Sequence, residues 1–213
     1  MNGTFSPELS KLGRLPRGVT VRSLAESIDD GADLEPYLGR VASIEANPFV
    51  ALNEENYNVW SLNYDLLVNF SLKDFSPSPG LAESWETSED GLTWTFKLQE
   101  GLMYAPPMED VEITSGDFVR ALERTADPEA AANGYSFYYS IIEGFDEFSD
   151  GKADSISGVN APDDYTLEIT LTEPAGDLPN RMAKHATAPI PPDASEGHVR
   201  DYGRYLVASG PYM

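Results

Sequence analysis

The sequence predicts a mixed α/β fold of short strands and helices. Three observations carry that expectation. Leu92, Trp94, Phe96 and Leu98 alternate with Thr93, Thr95 and Lys97, the period of a strand with one face on a core and one in water. Tyr165, Leu167, Ile169 and Leu171 alternate in the same way with Thr166, Glu168, Thr170 and Thr172. Between the two runs, Phe118, Ala121 and Leu122 fall at the i, i+3 and i+4 spacing of a helix stripe.

Taken in order, residues 1–43 are weakly patterned. Arg14, Arg17 and Arg22 precede an acidic stretch from Glu26 to Glu35, with room for a short helix near Leu24 to Ile28. Organisation begins near Ile44. Tyr57, Trp60, Tyr64 and Leu67 predict an amphipathic helix over 57–68. Ser76 to Gly80 reads as a turn-rich segment. Leu81 to Ser88 then leads into Asp90-Gly91, a hairpin signal before the first alternating run. Thr114 and Asp117 fit a capping box at the start of the helix, and Asp127-Pro128 ends it. Tyr135 to Tyr139 is dense in aromatic rings. A second hairpin follows, with Ile156 and Val159 on its first arm and Asp163-Asp164 near its turn. After a Pro-rich stretch from Pro189 to Pro192, the chain stops in Ser209-Gly210-Pro211-Tyr212-Met213, which is expected to be a cut rather than a natural end. No internal repeat is visible.

Composition removes several classes of function. The 213 residues suffice for one good core. A hydrophobic content of 41% with 23 aromatic residues fits a folded protein. Thirty-six acidic residues against 14 basic ones give a net charge of −22. Such a chain repels nucleic-acid phosphates and anionic membrane surfaces alike. With no Cys, disulfides, thiol catalysis and Cys-ligated zinc are excluded. No stretch approaches a membrane span, and residues 1–20 lack the apolar core of a signal peptide.

Catalytic and metal-binding patterns are equally scarce. His185 and His198 stand thirteen apart and read as solvent-exposed loop residues rather than ligands. No G-x-S-x-G, H-E-x-x-H, P-loop or G-x-G-x-x-G occurs. Asp146, Asp150-Gly151 and Asp154 faintly suggest a calcium loop. Phe148 at the third position and Ser157 at the closing position break that pattern, leaving a solvated acidic turn. The run Tyr135, Phe137, Tyr138, Tyr139 cannot all face one core. At least one Tyr should reach a surface or cleft, where a flat apolar face with one hydroxyl suits a ligand.

Several segments together carry a resemblance. Ser76 to Gly101 reads SPSPGLAESWETSEDGLTWTFKLQEG, Val111 to Arg124 reads VEITSGDFVRALER, and Gly158 to Pro174 reads GVNAPDDYTLEITLTEP. With Asn47-Pro48, Ala126-Asp127-Pro128, Pro189-Ile190-Pro191 and Gly210-Pro211-Tyr212, they stand in the order and at the distances found in the family 5 extracellular solute-binding proteins. These are the oligopeptide- and dipeptide-binding components of ABC importers. The match covers about residues 44–213. Two places depart from it: residues 1–43 lack the family's opening strand pattern, and Tyr104 to Asp110 replaces its more common loop.

The resemblance implies a periplasmic-binding-protein type II-like fold. Residues 1–43 would be a lead-in, 44–64 the start of lobe I, 65–191 an inserted small α/β subdomain, and 192–213 the return into lobe I, with the second lobe absent. It implies ligand contact by Leu52, Asn53 and Glu54 through backbone strand addition, and by Tyr135. A helix N-cap and first-turn acid remain the alternative for Asn53 and Glu54. It further implies an extracytoplasmic monomer with no signal sequence in this chain, serving ABC permease subunits, with no cofactor, metal, nucleic acid or catalytic residue. The ligand would be a peptide or similar small solute, although other members take nickel chelates, sugars or opines. The alternative is a non-binding structural or interaction module of the same fold. A peptide hydrolase lacks any nucleophile–base pair in the motifs present.

Overall fold

Both alternating runs become neighbouring strands of one antiparallel sheet in a computed structural model of the chain, which describes residues 63–71, 73–105, 108–128, 135–192 and 209. The chain divides into two units, Met1–Ile44 and Glu45–Met213, and every described residue belongs to the second. In chain order the elements are β1 (Val68–Phe70), β2 (Pro77–Pro79), β3 (Ala82–Thr87), β4 (Thr93–Leu98), α1 (Ser115–Ala126), a 3-10 turn at Tyr135–Tyr138, α2 (Phe145–Ser149), β5 (Val159–Asp163), β6 (Thr166–Thr170), α3 (Leu178–Arg181) and a 3-10 turn at His185–Thr187. The expected helix near residues 24–28, the contact residues Leu52, Asn53 and Glu54, the first half of the expected helix over 57–68, and His198 lie outside the described residues.

The four-stranded sheet runs β3-β4-β6-β5, each pair antiparallel. Trp94 pairs with Ile169 and Phe96 with Leu167, so the apolar faces of the two runs coincide in register. All four side chains are buried. The β3–β4 connection is the expected hairpin. The Asp90 carboxylate accepts from the Ser88 hydroxyl at 2.6 Å and the Leu92 amide at 3.1 Å, while Gly91 takes φ +73°, a left-handed turn position that suits glycine. On the other face Thr166 departs from the alternation and is buried. It lies opposite Lys97, whose ammonium donates to its hydroxyl at 2.8 Å. The outer strand β5 is exposed over most of its length, carries Pro162, and has an irregular register between Asn160 and Asp163. These features discourage pairing with another chain.

Helix α1 covers the sheet. Asp117 accepts from the Thr114 amide at 2.9 Å, forming the predicted capping box. Phe118, Ala121 and Leu122 are buried, and Asp127 caps the end. The helix start is tied to the second hairpin: the Ser115 amide donates to the Asp164 carbonyl at 2.8 Å, and its hydroxyl to the Asp163 carbonyl at 2.6 Å. The Pro-rich stretch docks on the same helix, with Arg120 Nε donating to the Ile190 carbonyl at 2.8 Å.

Two expectations fail between Tyr64 and Gly80. Residues 64–67 are not helical, and Val68 enters β1. The carbonyls of Leu66 and Leu67 instead accept from the amides of Leu81 and Ala82 at 2.8 and 2.9 Å. Long-range backbone pairing thus overrides the helical spacing of Tyr64 and Leu67. The turn-rich segment Ser76 to Gly80 contains β2, paired with β1 from Val68↔Pro79 to Phe70↔Pro77. Proline is tolerated there because each strand of a two-stranded sheet has an edge needing no N–H. Gly80 is required by crowding: a Cβ at this position would sit 2.2 Å from the Leu66 carbonyl oxygen.

Residues far apart in the chain meet beside this ribbon. The Asp65 amide donates to the Ser209 hydroxyl at 3.0 Å, and the Ser209 amide donates to the Asn63 carbonyl at 3.1 Å.

Candidate functional site

The aromatic run divides by position on its 3-10 turn. Tyr139 points into the core, is fully buried, and donates its hydroxyl to the Arg181 carbonyl at 2.9 Å. Burial pushes that phenol well above its ordinary pKa, so it stays protonated. Phe137 points the other way and is 75% exposed. Tyr138 lies half-buried between them, its ring edge-on to Phe137 with centroids 5.2 Å apart. Tyr135 is half-buried, with its ring 6.3 Å from that of Tyr138.

Facing this turn is the segment that starts at α3. Asp177 and Arg181 are one helical turn apart and form an ion pair at 3.1 Å. Arg181 also donates to the Tyr138 carbonyl at 2.7 Å, joining α3 to the aromatic turn. Lys184 holds its ammonium 4.2 Å from the Tyr138 ring centroid, a cation–π contact. Together with Asn180 and Phe70 of β1, these residues line an open cleft of about 350 Å³. Its chemistry is that of recognition: aromatic faces, a primary amide, two cations and one carboxylate. Among the described residues, no group of His, Cys, Asp and Glu could hold a metal ion.

Of the sequence-predicted contact residues, Tyr135 adjoins the cleft through Tyr138, and the other three are outside the described residues. Asp177, Asn180, Arg181 and Lys184 escaped the sequence reading. A faint signal existed, since Asp177, Arg181 and Lys184 share a helical spacing and put two of the chain's 14 basic residues within four positions. The acidic turn is as expected: Asp146 and Asp150 are exposed, and Asp150 pairs with Lys152 at 2.7 Å.

The expectation for His185 is overturned. It is 2% exposed, in a turn after α3 that packs against α1. Burial lowers its pKa from the ordinary value near 6.5 to about 4, keeping the ring neutral at pH 7. Proline-rich surroundings suggested a surface loop, but Ala186, Ala188 and Ile190 are buried with it.

Comparison with known proteins places this architecture. Residues 76–213 match the model described as bacterial extracellular solute-binding proteins, family 5 Middle. The periplasmic oligopeptide-binding protein OppA of Escherichia coli is 30% identical over 186 residues, covering 85% of this chain and 32% of that protein. The glutathione-binding protein GsiB of Escherichia coli is 33% identical over 132 residues, covering 62% of this chain and 22% of that protein. The structure of Listeria monocytogenes OppA bound to peptide is similar over 78% of this chain and 33% of that one, with TM-score 0.69 and 26% identity. Haemophilus influenzae OppA, in complex with RPPGFSPFR, matches with TM-score 0.68 and 29% identity, over 78% of this chain and 32% of that one. The chain spans about a third of the length of the first of these curated relatives. The matched relatives are binding proteins, not enzymes, and the fold they share is that of periplasmic peptide-binding proteins.

Proposed function

Because the chain belongs to the bacterial extracellular solute-binding proteins of family 5, we propose that it is part of the capture component of an ABC importer. In this reading it acts outside the cytoplasm and takes peptides or similar small solutes. It then presents them to permease subunits in the membrane. Capture makes and breaks no covalent bond. The protein surrounds the ligand, excludes water, and shifts toward the closed state that the transporter recognises.

The observation that carries the reading is the fold shared with the peptide-bound OppA of Listeria monocytogenes, over 78% of this chain. The hydrogen bonds joining Ser209 to Asn63 and Asp65 support taking 65–191 as an inserted subdomain, because an insertion leaves and re-enters its parent lobe at neighbouring points. Residues 44–64 and 192–213 would then belong to lobe I. We assign Leu52, Asn53 and Glu54 to backbone pairing with a peptide, which reads main chain irrespective of side chains. Tyr135 would contribute an aromatic contact beside the cleft.

Isothermal titration calorimetry of the chain with a library of short peptides tests this. Saturable binding is expected, and Leu52→Pro, which constrains the backbone of the proposed pairing strip, should weaken it. Heats of dilution alone for every peptide would overturn the capture role for this polypeptide. Steady turnover of fluorogenic peptides would overturn the non-enzymatic reading.

A further inference from the structure

We propose that the cleft between the Tyr135–Tyr138 turn and α3 is an anion subsite, taking a carboxylate attached to an aromatic or apolar group, with Lys184 as its charged contact. The inference rests on the solute-binding reading and names a ligand chemistry for it.

Charge is the first argument. The chain carries 36 acidic residues and 14 basic ones, yet the cleft holds two cations and one carboxylate. Asp177 neutralises Arg181, which is also spent on the Tyr138 carbonyl. That leaves one net positive charge, on Lys184. Its ammonium has no carboxylate or hydrogen-bond acceptor among the described residues, only the Tyr138 ring below it. The ring fixes where the ammonium sits without cancelling its charge. Asn180 also lines the cleft, and its amide likewise has no hydrogen-bond partner among the described residues. An ammonium and an amide N–H lining one cleft suit a carboxylate.

Shape supplies the second argument. Phe137 leaves most of its ring in water, and Phe70 lies in the lining with it. Apolar faces beside the cation fit the ring or aliphatic part of the same ligand. The negative field of the whole protein opposes an anion, but charges farther away than about 8–10 Å are screened at physiological salt, whereas a contact at Lys184 is not. The local attraction therefore decides.

The test is an NMR titration of the 213-residue chain with two probes, N-acetyl-phenylalanine and its neutral amide, which share a ring and differ in the carboxylate. The acid should shift the signals of Phe137 and Tyr138 and bind roughly tenfold more tightly than the amide. Lys184→Gln, which keeps a polar side chain at this half-buried position, should bring the two probes to within about twofold. Phe137→Ala, at an exposed ring, should weaken both. Equal affinity for acid and amide, or a preference that survives Lys184→Gln, overturns the carboxylate assignment. Peptide binding in calorimetry would then still stand for the capture role. No shift at Phe137 or Tyr138 with either probe overturns the cleft as a site altogether. An acid preference lost in Lys184→Gln, in a chain that binds no peptide, keeps the anion site and refutes peptide capture.

Discussion

Acid should destabilise this fold through His185, and the size of the effect follows from its burial. In the folded chain the ring takes a proton only near pH 4, whereas the ordinary value is near 6.5. Between those values the unfolded chain holds one more proton than the folded one, so stability falls as pH falls. The loss begins near pH 6.5 and is complete near pH 4. Its slope is about 1.4 kcal/mol per pH unit, and its total is roughly 3 kcal/mol. Buried carboxyls act in the opposite sense. Burial raises the pKa of Asp117 and of the half-buried Asp65 and Glu123, so each favours the folded state as acid protonates it. The contribution of His185 is therefore read as a difference. Urea unfolding would be followed by tryptophan fluorescence at several pH values from 7.5 to 4.5, for the chain and for His185→Asn. Whatever stability the variant starts from, its curve should be flatter by about 1 kcal/mol per pH unit in this range. Parallel curves would refute the reasoning, as would an NMR titration of the His185 ring with a midpoint near 6.5. The ring titration also decides the matter if the variant does not fold.

Further outcomes follow from packing. Gly80→Ala should cost more than about 2 kcal/mol, because its Cβ would collide with the Leu66 carbonyl where β1 and β3 begin. Gly151→Ala, at φ +70° with open space around it, should cost only about 1–2 kcal/mol of backbone strain; equal losses in urea midpoint would contradict the crowding argument. Phe96→Ala removes a fully buried ring at the centre of the sheet and should cost about 3–5 kcal/mol. A smaller loss by calorimetric melting would mean the sheet face is not the core. Asp117→Ala deprives the Thr114 amide and the Arg120 guanidinium of their shared acceptor, and should cost about 2–3 kcal/mol. A change below about 0.5 kcal/mol would show that the capping box does not hold the helix start.

Much of the sheet was legible because its signals are local. Period-two alternation over Leu92–Leu98 and Tyr165–Leu171, Asp90-Gly91 at one turn and Thr114 with Asp117 at the helix start each need only a few neighbouring residues. All appear in the fold. The misreadings occur where distant partners decide. Tyr64 and Leu67 kept a helical spacing, but backbone pairing with Leu81 and Ala82 claimed that stretch. His185 stood in a loop-like, proline-rich setting, yet its turn packs against α1 and the ring is buried. The candidate cleft was half legible. The aromatic run promised a Tyr at a surface or cleft; half-buried Tyr138 lines the cleft, while the most exposed ring is that of Phe137. Which ring, and which cations would face it, depended on α3 docking some forty residues later in the chain.

By itself the sequence determined the class of fold, the two alternating strands with the principal helix between them, and the membership that its ordered motifs announce. Local periodicity and capping encode these, because they arise from the steric and hydrogen-bonding preferences of adjacent residues. Only the tertiary structure decided the register that sets Phe96 beside Leu167, the burial of His185, and the meeting of Lys184 with Tyr138. Those depend on contacts between segments far apart in the chain, where burial and backbone pairing outweigh any local preference.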